Sequence, residues 1–209
     1  MVDAYRLRSP LAHLALDARA RDDVEVSGTG VQLSEVPYQG LINIRGDAAD
    51  ATFMAAVEKA IKLAPPLAAN TVAGKVATRM AWLGPDEWLV ITRPNGAERS
   101  LNALTSALKS GGLHAAVTNV SDARTCIQIS GPCARDVLQK GCSLDLHPAR
   151  FGPSQCAQTI VSKVGVVLLQ TADSKKSGPA YELYALRSFA PYLWAWLEDA
   201  SAEYGVRIA

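Results

Sequence analysis

The sequence is short of the residues that usually announce chemistry. Histidine occurs three times, at His13, His114 and His147, and none stands at metal-ligand spacing from another histidine, a cysteine or a carboxylate pair. The four cysteines, Cys126, Cys133, Cys142 and Cys156, contain no C-x-x-C pair, so neither a zinc ribbon nor a thioredoxin-like redox motif is written here. A disulfide scaffold is shorter and denser in cysteine, so the expectation is four reduced thiols in a cytoplasmic protein. There is no G-x-S-x-G, no G-x-x-x-x-G-K-[ST] and no G-x-G-x-x-G, which removes the signatures of an α/β-hydrolase, a P-loop NTPase and a dinucleotide fold. No run reaches the ~18 apolar residues of a membrane helix. Asp3, Arg6, Arg8, Asp17 and Arg19 interrupt the first twenty residues and leave no apolar core for a secretory signal. Neither sign of charge dominates, with 21 Lys and Arg against 20 Asp and Glu. That balance gives no basic face for nucleic acid or an acidic membrane.

What is present is an ordinary globular composition of 209 residues, 49% hydrophobic and 20% charged. Such a chain buries a core without metals or disulfides. Residues 1–40 show no clear period, carry a mixed charge cluster at Arg19, Arg21, Asp22 and Asp23, and loop at Ser27-Gly28-Thr29-Gly30. They read as an extended N-terminal arm with one short strand.

Residues 41–122 read as a first α+β half. Leu41 to Arg45 is a strand ended at Gly46-Asp47. Asp50 caps a helix whose face carries Phe53, Met54, Val57 and Ile61, stopped at Pro65-Pro66. Arg79–Leu83 and Trp88–Ile91 form a hairpin across Gly84-Pro85-Asp86-Glu87. A helix marked by Leu101, Leu104, Ala107 and Leu108 ends at Gly111-Gly112, and Ala115–Val120 is a strand. The order β-α-β-β-α-β is that of the ferredoxin-like unit.

Residues 123–209 repeat the order in a second half. Cys126–Ser130 is a strand, and Gly131-Pro132 leads into a short helix with Pro132 at its first position. That helix, Ala134–Lys140, ends at Gly141. Paired strands follow at Thr159–Val161 and Val164–Gln170, then a polar loop, then Tyr181–Leu186. Ser188 caps a last helix with Phe189, Leu193, Trp196 and Leu197 on its apolar face. The expectation is two similar halves with mainly antiparallel sheets, packed as one unit.

Candidate functional residues are few. Asp86 and Glu87 sit at a turn tip between Trp82 and Trp88. A catalytic carboxylate pair needs environments that split the two pKa values, which a solvated tip does not supply. Trp82 and Trp88 suit either the core or an interface, as aromatic anchors do, and Trp194 is a further interface candidate. Trp196, in helical register with Leu193 and Leu197, reads as core. Asp122 and Arg124 suit an ion pair or anion contact, but local side-chain bonds in a turn explain Asn119-Val120-Ser121-Asp122 as well. His147 reads as a satisfied turn residue. Lys140-Gly141-Cys142 begins like the motif of a folate-dependent iron–sulfur-repair family, then departs from it at Ser143-Leu144-Asp145-Leu146.

Six strings in order resemble one family. They are Leu41-Ile42-Asn43-Ile44-Arg45-Gly46-Asp47, Trp82 to Leu89, Val120 to Thr125, Ile129 to Arg135, Lys140 to Pro148 and Arg187 to Trp194. The set is similar to the gamma subunits of heterotetrameric sarcosine oxidase, and to those of related N-methyl amino acid dehydrogenases, over about residues 5–205. The resemblance implies the folate-binding aminomethyltransferase-like fold and an assembly with alpha, beta and delta subunits. It places FAD on beta, FMN between alpha and beta, NAD and tetrahydrofolate on alpha, and zinc on delta, with no cofactor on the gamma chain. Folate-using members carry Asp-Asp-Gly at the hairpin and Tyr-Thr-Gly-Glu before a Tyr-Glu strand. Here the hairpin reads Gly84-Pro85-Asp86-Glu87, the later segment reads Ser162-Lys163-Val164-Gly165, and only Tyr181-Glu182-Leu183 matches. The resemblance therefore implies a noncatalytic structural subunit with interface candidates Trp82, Trp88, Trp194 and Asp86. A stand-alone folate-dependent one-carbon transferase, with Asp86 or Glu87 as its acid–base group, and a folate-binding module are the rival expectations.

Overall fold

Alternation of apolar and polar residues sets the strands of this chain, and capping residues set its helix ends. The computed structural model describes residues 7–22, 28–75, 77–94 and 96–209; Asp23 and Ser27 of the expected arm lie outside them. In chain order the elements are α1 Leu16–Asp22, β1 Val31–Val36, β2 Gly40–Arg45, α2 Ala51–Ile61, β3 Val72–Lys75, β4 Thr78–Gly84, β5 Glu87–Thr92, α3 Ala97–Ser110, β6 Ala116–Asn119, β7 Arg124–Ser130, α4 Ala134–Gln139, β8 Cys156–Val161, β9 Val164–Ser174, β10 Gly178–Leu186, α5 Ala190–Ser201 and β11 Val206–Ile208. They divide into two compact units, one of Tyr38–Ala123 with Ser154–Gln158, the other of residues through Pro37 with Arg124–Pro153 and Thr159–Ala209.

The first unit holds a five-stranded sheet in the order β3-β4-β5-β2-β6, and each pair is antiparallel. Without the edge strand β3 the order is that of the β-α-β-β-α-β unit. The sequence hides β3 because Val72-Ala73-Gly74-Lys75 is short, half-exposed and broken by glycine. Asp50 caps α2 as expected, its Oδ1 accepting from the backbone N–H of Thr52 and Phe53 at 2.8 and 3.3 Å. The helix stops before Pro65-Pro66: Lys62 turns left-handed at φ 59° and its N–H closes on the Glu58 carbonyl. Period-two residues of the strands and period-3.6 residues of the helices meet in one cluster of Ile42, Ile44, Phe53, Val57, Met80, Trp88, Val90, Leu104 and Leu108.

The second unit holds a six-stranded sheet in the order β11-β1-β7-β10-β9-β8. Its run β7-β10-β9-β8 repeats the run β2-β5-β4-β3 of the first unit, strand for strand in chain order. The repeat breaks at one place. In the first unit the last strand, β6, lies against β2; in the second, β1 lies against β7 and β11 is parallel to β1 beyond it.

Residues 31–36, within the expected arm and its one short strand, are an inner strand bonded on both sides. Val31 and Leu33 are fully buried. Without β1 the backbone of β7 would show a row of unpaired polar groups. The segment before it is clipped on as well: Glu35 accepts from Ser9 and Thr125, Leu11 is fully buried, and Arg19 of α1 pairs with Glu198 of α5.

Two helix starts differ from expectation. Cys133 is the N-cap of α4, so Pro132 precedes the cap. Gly131 has φ 122°, and a Cβ there would stand 2.4 Å from the Gly30 carbonyl oxygen, so only glycine makes this turn. Phe189, not Ser188, caps α5, after a 3-10 turn at Arg187–Phe189.

Candidate functional site

The β4–β5 hairpin places three of the residues singled out by sequence. Trp82 and Trp88 are cross-strand partners, and the register shifts between Trp82 and Gly84. Trp88 is 1% exposed. Its ring lies 5.9 Å from that of Phe53 at a tilt of 36°, and its Nε1–H donates to the Pro66 carbonyl at 2.9 Å. Both its apolar face and its polar handle are thus spent inside the chain, which corrects its reading as an interface anchor. Trp82 is half-buried and Asp86 is exposed at the tip. The Asp86 backbone carbonyl accepts from Gly46.

Glu87 faces the opposite way in function. Its carboxylate accepts from Asn43 Nδ2 at 2.7 Å and from Arg45 Nη2 at 2.6 Å. The Glu87 hydrogen bond and charge, with a smaller contribution from Asp86, hold the Arg45 guanidinium above its ordinary pKa. A carboxylate closed by an amide and a guanidinium is an anchor, not a free base. The two tip carboxylates therefore do not form an acid–base pair. Next to them, Cys156 donates through Sγ to the Thr71 and Trp82 carbonyls, and burial pushes its thiol up to about 11.

The Lys140-Gly141-Cys142 string is a packing junction. Lys140 Nζ donates to the Ala200 carbonyl at 2.6 Å, pairs with Glu203 and lies 4.6 Å from the centre of the Tyr204 ring. A Cβ on Gly141 would stand 2.5 Å from the Trp196 ring and 3.0 Å from the Ser162 nitrogen. Cys142 is buried, with Thr159 Oγ1 at 3.6 Å. The lysine is thus engaged with Glu203, and no cation of this string is turned to the thiol as activation requires.

Trp194 and Trp196 depart from the roles read from sequence. Trp194 is 1% exposed and its Nε1–H donates to Glu198 Oε2 at 3.0 Å, so it too belongs to the core. Trp196 is half-buried. The buried stripe of α5 is Ala190, Leu193, Trp194, Leu197, Ala200 and Ser201; it contains the expected Leu193 and Leu197, while Phe189 is 45% exposed. The loop between the halves behaves as a turn: Asn119 Oδ1 accepts from the Ser121 N–H and hydroxyl, Ser121 Oγ accepts from the Leu41 N–H, and Arg124 donates to the Tyr184 carbonyl. His147 Nδ1 accepts from the Ala149 N–H.

One polar cluster was not legible in sequence. Arg135, in the first turn of α4, donates to the Leu146 carbonyl at 2.8 Å and pairs with Asp173 at 2.7 Å. Gln170 Nε2 donates to the same carboxylate at 3.2 Å. Gln170 and Tyr181 are cross-strand partners beside a register shift in β9–β10. The Gln170 Oε1 is buried without a hydrogen-bond partner, and the buried Tyr181 hydroxyl faces the Arg135 guanidinium. Burial pushes the Tyr181 phenol up, and the Arg135 charge opposes the shift. Neighbouring Glu182 accepts from the Tyr184 hydroxyl at 2.6 Å. A bulge re-aims side chains that even alternation would place elsewhere, which is why no sequence pattern marks this cluster. It holds one ion pair, Arg135 with Asp173, and buried polar atoms of Gln170, Tyr181 and Glu182.

Known proteins share this sequence and this fold. The sarcosine oxidase gamma subunit family matches residues 45–203. The chain is 35% identical to the sarcosine oxidase gamma subunit of Corynebacterium sp. strain U-96 over 207 residues, 98% of this chain and 95% of that one. It is 32% identical to the gamma subunit of an Arthrobacter species over 201 residues, 94% of this chain and 91% of that one. Among solved structures, the heterotetrameric sarcosine oxidase of Corynebacterium sp. U-96, in complex with pyrrole 2-carboxylate, contains a chain similar at TM-score 0.83 and 33% identity, covering 95% of this chain and 96% of that one. The glycine cleavage aminomethyltransferase T of Bartonella henselae is similar in fold, at TM-score 0.61 and 14% identity, over 96% of this chain and 52% of that one. The chain belongs to the sarcosine oxidase gamma subunit family.

Proposed function

We propose that this chain is a noncatalytic structural subunit that holds the flavin-bearing and folate-bearing subunits of a four-chain oxidase in register. The complex, not this chain, oxidatively demethylates sarcosine to glycine, releases hydrogen peroxide and passes the one-carbon unit to tetrahydrofolate. FAD, FMN, NAD, tetrahydrofolate and zinc belong to its alpha, beta and delta partners. The observation that carries this reading is the end-to-end likeness to gamma subunits, 35% identity over 98% of this chain and 95% of the relative. The residues support it. At the hairpin, Glu87 is closed by Asn43 and Arg45. In the later segment, the Ser162 hydroxyl is bonded to that of Tyr192 at 2.8 Å. The folate-binding pattern of the wider fold is thus replaced by bonds internal to this chain. Trp82 and Asp86, half-buried and exposed at one hairpin tip, remain interface candidates.

Tetrahydrofolate titration tests the assignment of roles. The isolated chain is expected to bind none, while the reconstituted complex turns over sarcosine. Tight folate binding by the isolated chain, lost in Asp86→Ala, would replace this reading with the one-carbon transferase.

A further inference from the structure

The N-terminal segment joins the second unit as an inner strand and leaves it through one short turn. β1 pairs with β7 from Gln32 to Val36 and with β11 from Val31 to Leu33. Ahead of the strand, the Arg8 carbonyl accepts from Arg187 and Arg19 pairs with Glu198. Within the strand, Glu35 accepts from Thr125. These partners all lie in residues 124–209 of the same unit, and the boundary of that unit falls between Pro37 and Tyr38.

The turn is strained. Residues 37–39 alone join β1 to β2, and Tyr38 is left-handed at φ 61°. A proline followed by a left-handed residue has the layout of a type II turn, whose second central position calls for glycine or asparagine. A tyrosine there sits in a region that bulky side chains rarely adopt. Extended backbone is ordinary for proline and tyrosine alike, so opening the turn relieves the strain. Short hinges under strain invite a terminal element to cross to a second copy.

We propose that two copies of this chain exchange their N-terminal segments when they fold without other subunits. The residues through Pro37 of one copy fill the place between β7 and β11 of the second, and the second copy returns the same segment. The strand pairings and the bonds to Arg187, Glu198 and Thr125 are remade across the two copies, so the exchange gives up none of them, and Tyr38 is relieved twice. Because the exchange is reciprocal, it closes as a two-fold dimer and leaves no open end for fibre growth. It takes place during folding, since β1 lies inside the six-stranded sheet. The inference concerns the chain alone and does not depend on the subunit reading above.

The test uses the isolated full chain, unfolded in guanidinium and refolded at low and high protein concentration, with mass read by light scattering after size exclusion. A reporter, Ser34→Cys with Gln128→Cys, replaces a β1–β7 pair whose side-chain oxygens stand 3.4 Å apart. On mild oxidation its disulfide forms within one chain in the monomer and between two chains in the exchanged dimer; wild type is oxidised in parallel. Refolding at high concentration is expected to give a dimer, and nonreducing electrophoresis of the reporter's dimer fraction a covalent two-chain band. Tyr38→Gly takes the left-handed turn without strain and is expected to weaken dimerisation at least tenfold. A wild-type chain that refolds only as a monomer at every concentration overturns the proposal. So does a dimer whose reporter disulfide stays within one chain, and so does equal dimerisation of Tyr38→Gly and wild type. If the double-cysteine variant does not fold, the comparison of wild type with Tyr38→Gly decides alone.

Discussion

Single side chains decide most of what the sequence left open. All four tryptophans fit a core or an interface by type, and register alone decides between them. Trp88 is buried because β5 is an inner strand covered on both faces, and its ring meets Phe53. Trp194 is buried because it shares the face of α5 that carries Ala190, Leu193, Leu197 and Ser201. Gly141 was readable as a helix end, but its reason is the Trp196 ring. Gly141→Ala is expected to lower stability by roughly 1–3 kcal/mol, the usual cost of overpacking, seen as a lower urea midpoint; an unchanged midpoint would remove the contact as the reason for glycine. Cys156 gives a pH dependence. Its folded thiol titrates near 11, above the ordinary value of 9.0, so the folded state holds its proton longer than the unfolded state does. That contribution is complete below pH 9 and fades as pH rises from 9 towards 11. Cys156→Ala is expected to flatten the loss of stability over that window in urea titrations at stepped pH, and an equal slope in both proteins would contradict the assignment.

At the scale of elements the sequence was most legible where punctuation was strong. Asp50 before α2, the Pro85-Asp86 turn of the hairpin and the double glycine after α3 mark boundaries by local chemistry alone. The strand order of the first unit then follows from β-α-β-β-α-β. What local chemistry does not contain is the partner of β1. Val31-Gln32-Leu33 alternates as a strand does, but its place between β7 and β11 depends on residues about a hundred and more positions away, a long-range pairing that no window of sequence holds. Removal of residues 1–37 is expected to leave one edge of β7 and all of β11 unpaired and to yield an insoluble or molten chain, by sedimentation and near-ultraviolet circular dichroism. A truncated chain that is soluble, with native near-ultraviolet signal, would make β1 an accessory to the sheet and not part of its frame.

At the scale of the whole molecule, two units repeat one strand order and each holds ion pairs of its own. Arg45 with Glu87, Arg135 with Asp173, Lys140 with Glu203 and Arg19 with Glu198 are all pairs within a unit. The family was legible in ordered strings, because strings carry turns, caps and core positions together. The central claim is that this chain works as a subunit. The most direct test is affinity purification of the tagged chain from its native cells, with flavin absorbance and intact masses of whatever accompanies it. The account predicts flavin-bearing partner chains in stoichiometric amounts, together with sarcosine-dependent hydrogen peroxide. A colourless chain recovered alone, at low salt and at high concentration, would contradict it.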